Sequence, residues 1–133
     1  MTAPALPAAL QKWHAYMETT DFAVLDALLA EDAVFESPVV HTPQRGKALT
    51  FGYLKAAAVV LGNDSFRYLN HWIAESSAVL EFACEVDGVA INGVDIISWN
   101  ADDQITHFKV MVRPLKAINL LHQKMAAMLA KAG

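Results

Sequence analysis

Asn92-Gly93-Val94-Asp95-Ile96-Ile97-Ser98-Trp99-Asn100 reads as an apolar strand with one carboxylate in its middle and an Asn-Ala-Asp-Asp turn, residues 100–103, at its end. Successive side chains of a strand point to opposite faces, so Gly93, Asp95, Ile97 and Trp99 share one face and Asn92, Val94, Ile96 and Ser98 the other. A carboxylate among such neighbours is costly to bury unless it is protonated, hydrogen-bonded or paired. Asp95 therefore marks the expected site. With no Arg or Lys in its own strand, its ionised form should be disfavoured and its pKa raised. Both faces are largely apolar, which suggests that one lines a pocket containing Asp95 while the other is covered by a second subunit.

Outward from this strand the period-two pattern continues on both sides. Before it, Leu80, Phe82, Cys84 and Val86 alternate with Glu81, Ala83, Glu85 and Asp87, and Asp87-Gly88 is a hairpin turn signal. Earlier still, Phe66 to Ile73 reads as a strand with neither face clearly polar, so its register stays open. After the central strand comes Ile105 to Arg113, in which either face passes for apolar. These four strands form a meander. Pro114 then opens a terminal helix with Leu115, Ile118, Leu121, Met125 and Met128 along one stripe.

The first half is helical. Leu10, Trp13, His14 and Met17 recur at helical spacing up to Thr19-Thr20, and Asp21 is placed to cap a second helix carrying Phe22, Leu25, Leu28 and Leu29 as far as Glu31-Asp32. Ala33 to Ser37 is a short strand ended by Pro38, with Phe35 and Ser37 on one face and Val34 and Glu36 on the other. A loop follows through His41, Pro43 and Gly46. Lys47 to Leu61 is a third helix in which Leu54, Ala57, Ala58 and Leu61 pack, and Gly62-Asn63 ends it.

Composition narrows the function. The 133 residues suit a single domain spanning 1–133, and 55% hydrophobic against 18% charged leaves apolar surface to meet a ligand or partner. A net charge of -4 with scattered Lys and Arg speaks against nucleic acid. No apolar run approaches the roughly 20 residues of a membrane span, and residues 1–10 lack the basic start of a signal peptide. One cysteine, Cys84, fits a reducing compartment, so a cytoplasmic location is expected. No His-x-His or His-Glu-x-x-His spacing, Gly-rich phosphate loop or nucleophile elbow occurs, so neither metal nor cofactor is expected.

The helix-turn-helix from Leu10 to Ala30, then Glu31-Asp32-Ala33-Val34-Phe35-Glu36-Ser37-Pro38, Gly46, and Val94-Asp95 with its following hairpin resemble the nuclear-transport-factor-2-like superfamily. The likeness is greatest to its ketosteroid-isomerase and SnoaL-like polyketide-cyclase branch. It implies an α+β fold: a cone-shaped, curved antiparallel sheet with an N-terminal helix hairpin, a third helix over the concave face, and a C-terminal helix. The superfamily hosts isomerases, dehydratases, cyclases, epoxide hydrolases and binding modules, so fold does not choose the reaction. By position, Asp95 falls where the isomerases keep a protonated aspartic acid that donates to a developing oxyanion. Trp13 stands where they have an oxyanion-hole tyrosine, and Ser37 where they have the general-base aspartate. A serine hydroxyl is no general base unaided.

The catalytic candidates are Asp95, Tyr16 and His41. Asp95 is either a pocket donor or a structurally satisfied carboxyl. Trp13 is core or, through its N–H, a partner for Asp95; Tyr16, one turn on, reaches the pocket mouth or is a surface tyrosine. His41 is a replacement base by location or a solvated loop histidine. His14, His71, His107 and His122 read as surface or interface residues. Ligand-binding positions are Trp13, Met17, Phe35, Ser37, Tyr53, Leu80, Phe82, Cys84, Ile97, Trp99 and Phe108, with Cys84 a small apolar residue rather than a nucleophile. Together these point to a protein that encloses a small, mainly apolar, oxygen-bearing molecule. It is either a cofactor-free isomerase, dehydratase or cyclase, or a binding module, or an interaction protein working through its sheet face. A two-fold homodimer with sheet faces apposed is expected.

Overall fold

The computed structural model describes residues 6–132; the part of the N-terminal reading that rests on residues 1–5 lies outside them, as does residue 133. Helix α1 (Ala8–Thr19) presents Ala9, Leu10, Trp13 and Tyr16 to the interior at three- and one-residue steps, and closes with Thr20 in the left-handed conformation. Asp21 caps α2 (Phe22–Leu28), its carboxylate accepting from Ala23 N at 3.0 Å. β1 (Leu29–Glu36) follows without a loop, and after β2 (Gln44–Arg45) comes α3 (Lys47–Leu61). Four further strands complete the sheet: β3 (Arg67–Ile73), β4 (Ser77–Val86), β5 (Val89–Trp99) and β6 (Ile105–Arg113). Helix α4 (Leu115–Ala132) ends the chain.

The result is an α+β fold with a curved, unclosed six-stranded sheet in the order β2-β1-β6-β5-β4-β3. Its β3-to-β6 portion is the expected meander. The hairpin between β4 and β5 turns on Asp87 (φ 50°) and Gly88 (φ 78°), the positive-φ pair that a two-residue turn matching strand twist requires. In one respect the sheet differs from a purely antiparallel one: β1 lies parallel to β6, with Phe35 opposite Phe108 and Glu36 opposite Lys109.

One boundary and one helix face differ from the sequence reading. The second helix stops at Leu28, not at Glu31-Asp32, because Leu29 already has extended dihedrals; Leu28, Leu29 and Ala30 are all buried, so no change of period announces the switch. On α4 the inward stripe runs through Ala117, Leu121 and Met125, while Leu115 is 71% exposed. Among the described residues no helix is long and apolar enough to cross a membrane, and no group of three or more His, Cys, Asp or Glu is gathered as a metal site would need.

Helix α3 is fastened across β1. Gly46 (φ 102°) donates to the Ala33 carbonyl at 2.7 Å, and the fully buried Thr50 hydroxyl donates to the same oxygen at 3.2 Å. The inner sheet face carries the core, with Leu80, Phe82, Ile97 and Phe108 each nearly inaccessible. Gly93 faces Phe82 across the β4–β5 ladder. A Cβ there would lie 2.6 Å from both the Met111 carbonyl oxygen and Phe82 Cζ, so glycine is what lets the Phe82 ring lie flat on the sheet.

Candidate functional site

Between α1, α3, α4 and the inner sheet face lies a cavity of about 70 Å³ whose wall is almost wholly apolar. Leu54, Ala57 and Leu61 of α3 form one side, Leu121 and Met125 of α4 another, and Phe82, Phe108 and Val110 the floor. It is smaller than the roughly 150 Å³ apolar cavity that takes benzene, so a ring-sized guest needs Met17 and Met125 to shift, which their unbranched side chains allow. Met17, Gly62 and Phe66 are shared with a wider outer depression of about 300 Å³ that also holds His14, Glu18, Asn63 and Arg67.

The polar groups of the cavity gather around Asp95. Its strand puts it on the inner face, opposite Leu80 on β4 and Val110 on β6, and it is 6% exposed. Tyr68 of β3 reaches across the intervening strand and donates to Asp95 Oδ2 at 2.7 Å, while the Trp13 indole N–H donates to the Tyr68 oxygen at 2.9 Å. Burial pushes the Asp95 carboxyl up to about 7, with the Tyr68 hydrogen bond pulling the other way. Burial, followed by the neighbouring Asp95 charge, also raises Tyr68 well above the usual phenol range.

Tyr16 stands beside this chain, its ring 5.3 Å from that of Trp13. Its hydroxyl is the one buried side-chain polar atom among the described residues with no hydrogen-bond partner, and burial lifts its pKa to about 12. An unpaired buried hydroxyl costs about 1–3 kcal/mol, so a site retaining one is arranged to satisfy it with something else. At neutral pH Tyr16 is a neutral donor, and Asp95 sits near the middle of its titration. Asp95 can hydrogen-bond an oxygen that carries or develops negative charge and exchange a proton with it.

Residues 10–108 match the family of SnoaL-like domains. The chain belongs to the SnoaL-like domain family. Its fold is that of the NTF2-like superfamily. Among solved structures, a steroid delta-isomerase from Pseudomonas aeruginosa is 32% identical, with 98% of each chain covered and a TM-score of 0.89. An uncharacterised protein with a cystatin-like fold from Silicibacter pomeroyi is 28% identical, covering 90% of this chain and 84% of the other at a TM-score of 0.83. An NTF2-like protein of unknown function from Mesorhizobium loti shares the fold at 20% identity and a TM-score of 0.68, covering 80% of this chain and 88% of that one. No curated protein sequence matches.

In this SnoaL-like domain, Asp95, Tyr16, Trp13 and Met17 stand on the cavity wall, as do Phe35, Ser37, Phe82 and Phe108. Other sequence candidates stand elsewhere. Leu80, Ile97 and Trp99 share the inner face but are packed into the main core; Cys84 is buried in a second cluster with Val86, Ile91 and Leu121. Strand alternation gives the face, not how far along it the cavity runs. Tyr53 is outside the cavity, stacked on Phe35 with ring centroids 5.3 Å apart. His41 is exposed in the loop before β2 and does not line the cavity. Ser37 keeps its oxygen occupied, accepting from Val39 N at 3.1 Å. Trp13 addresses Asp95 only through Tyr68.

Tyr68, the hydrogen-bond partner of Asp95, is not among the sequence candidates. The sheet shifts register between Tyr68 and Asn70, so pattern alone does not give its face. The signal in the sequence is a tyrosine in a strand with neither face clearly polar. Met125 of α4 was likewise legible as an apolar stripe but not as a cavity wall.

Proposed function

We propose that this SnoaL-like domain binds a small, mainly apolar molecule bearing one carbonyl-class oxygen, and acts on it by cofactor-free proton chemistry of the isomerase or lyase kind. The observation that carries this reading is one apolar cavity lined both by a carboxyl raised to about 7 and by Tyr16, whose buried hydroxyl has no partner among the described residues. In this reading the acid form of Asp95 donates to the ligand oxygen as charge develops there, Tyr16 joins it once its side chain turns toward the guest, and the carbon-bound hydrogen passes to solvent water, which returns one to the new carbon. The steroid delta-isomerase from Pseudomonas aeruginosa, at 32% identity, supports the isomerase class. The test is a panel of cyclic ketones and their β,γ-unsaturated isomers followed by proton NMR. Wild type should shift the double bond or exchange the α-hydrogens for deuterium, and both Asp95→Leu and Tyr16→Phe should slow this at least about tenfold. Binding without turnover or exchange would refute the catalytic part.

A binding module is the second reading, and Ser37 favours it. Among the described residues no carboxylate or imidazole other than Asp95 lines the cavity, and the Ser37 hydroxyl is engaged in its own turn. Such a module would hold ketones with Asp95-dependent affinity and release them unchanged. On the outer sheet face, Val94 stands opposite Met111, which is 52% exposed, and Trp72 is 58% exposed beside Val79 on the same side. We propose that a second copy covers this face around a two-fold axis.

A further inference from the structure

We propose that Tyr68, backed by Trp13, is a positioning residue that fixes the direction of the hydrogen-bond chain into Asp95, so that Oδ2 only accepts and the acid hydrogen is held on Oδ1 as a donor to the ligand oxygen. The inference rests on the proposed ligand class and adds to it the means by which the carboxyl is aimed.

The direction follows from counting hydrogens. An indole nitrogen has one N–H and no acceptor lone pair, so the 2.9 Å contact between Trp13 Nε1 and Tyr68 Oη can run only from tryptophan to tyrosine. The Tyr68 oxygen has one hydrogen, and its other contact, at 2.7 Å, is Asp95 Oδ2. A phenol oxygen can accept twice, but were Oδ2 the donor the Tyr68 hydrogen would have no acceptor among the described residues, so Tyr68 donates to Oδ2 and an acid hydrogen there would meet the phenol hydrogen head-on. The acid form must carry its hydrogen on Oδ1. Oδ1 has no hydrogen bond from the described residues, yet it is not among the sealed, unpartnered atoms, which comprise Tyr16 Oη alone. It opens on the cavity that Asp95 lines.

Without the indole, the phenol could turn and accept, and either carboxyl oxygen could hold the hydrogen. Trp13 is held for this task by packing against Phe108 at a ring separation of 4.8 Å. The titratable neighbours are few. Tyr68 from β3 bonds the carboxyl, Tyr16 from α1 lines the same cavity, and His14 lies beyond the Tyr68 ring at 5.5 Å. Leu54, Ala57 and Leu61 of α3, Leu121 and Met125 of α4, Val110 of β6 and Phe82 of β4 bring no charge to the cavity.

The experiment follows the Asp95 carboxyl by carbon-13 NMR titration in wild type, Tyr68→Phe and Trp13→Phe, and measures in each the affinities for acetophenone and ethylbenzene. These probes are alike in size and differ in the carbonyl. At a pH below the Asp95 midpoint, wild type should favour acetophenone about tenfold. Tyr68→Phe should raise the midpoint by about one pH unit, since the ionised form loses its donor, and should cut the preference to about threefold or less. Trp13→Phe should cut the preference as far while moving the midpoint less. Retained ethylbenzene affinity reports an intact cavity; if one variant loses it, the other decides. An unchanged midpoint and preference in a variant that still holds ethylbenzene would overturn the positioning role. A wild type with no preference for acetophenone would instead overturn the proposed ligand class, and the Asp95 midpoints would still decide the direction of the chain.

Discussion

Asp95 and Glu36 are carboxyls of one sheet separated by a single strand, and its two faces treat them oppositely. Asp95, on the inner face, has no cation beside it and is raised to about 7 by burial. Glu36, on the outer face of β1, accepts from His107 Nε2 at 2.6 Å and lies 3.5 Å from Lys109 Nζ; that hydrogen bond, then the nearby cations, hold it below its ordinary value. The chemistry of the two side chains is the same. What differs is whether partners offset the loss of water: burial without a cation raises the inner carboxyl, whereas the His107 hydrogen bond and the Lys109 charge favour the ionised form of the outer one.

The contrast is sharpest in pH-dependent stability. The native state binds the Asp95 proton more tightly than the unfolded chain does, so ionising it costs stability; the penalty is absent below about pH 4, grows as pH rises and is complete above about pH 7. A separation of about three pH units, each equal to about 1.4 kcal/mol, sets a ceiling of about 4 kcal/mol. Urea unfolding should show Asp95→Asn stabilised by up to that amount at about pH 8 and little changed at about pH 4. Equal effects at both pH values would remove the distinction between the two carboxyls.

The faces should also differ in their tolerance of volume. Gly93→Ala sets a methyl carbon against the Met111 carbonyl and the Phe82 ring, and should cost about 1–3 kcal/mol in the same unfolding assay. Ser98→Ala, on the half-covered outer face of the same strand, should stay within about 0.5 kcal/mol. A mild Gly93→Ala would mean that both the Met111 backbone and the Phe82 ring can give way.

Assembly tests whether the outer face is free. Light scattering at micromolar concentration should report a dimer, and Met111→Lys should yield a monomer at a change in chain stability of about 0.5 kcal/mol or less. A wild-type monomer would refute the proposed pairing. The smallest effect belongs to Glu36→Gln. Because the native pKa of Glu36 is lowered, its contribution is present above the ordinary carboxylate range and is lost as pH falls through it. The variant should melt slightly lower than wild type at neutral pH and together with it in acid. A variant that melts alike at both would show the pairs with His107 and Lys109 to be without weight.

Residue spacing determined the helix hairpin up to Leu28, the Asp21 cap, the Asp87-Gly88 turn and the face of β5, because each depends on neighbours within a few positions. It also placed Asp95 among apolar residues and so gave the direction of its pKa shift. Only tertiary structure decided that β1 runs beside β6, that Tyr68 turns inward at a register shift, and that Trp13 reaches Asp95 through that phenol. It also decided which residues on the right face reach the cavity: Phe82 does, whereas Leu80, Ile97 and Trp99 are spent on the core. A local pattern specifies which way a side chain points. What it meets there depends on strands and helices tens of residues away, whose packing closes the space around it.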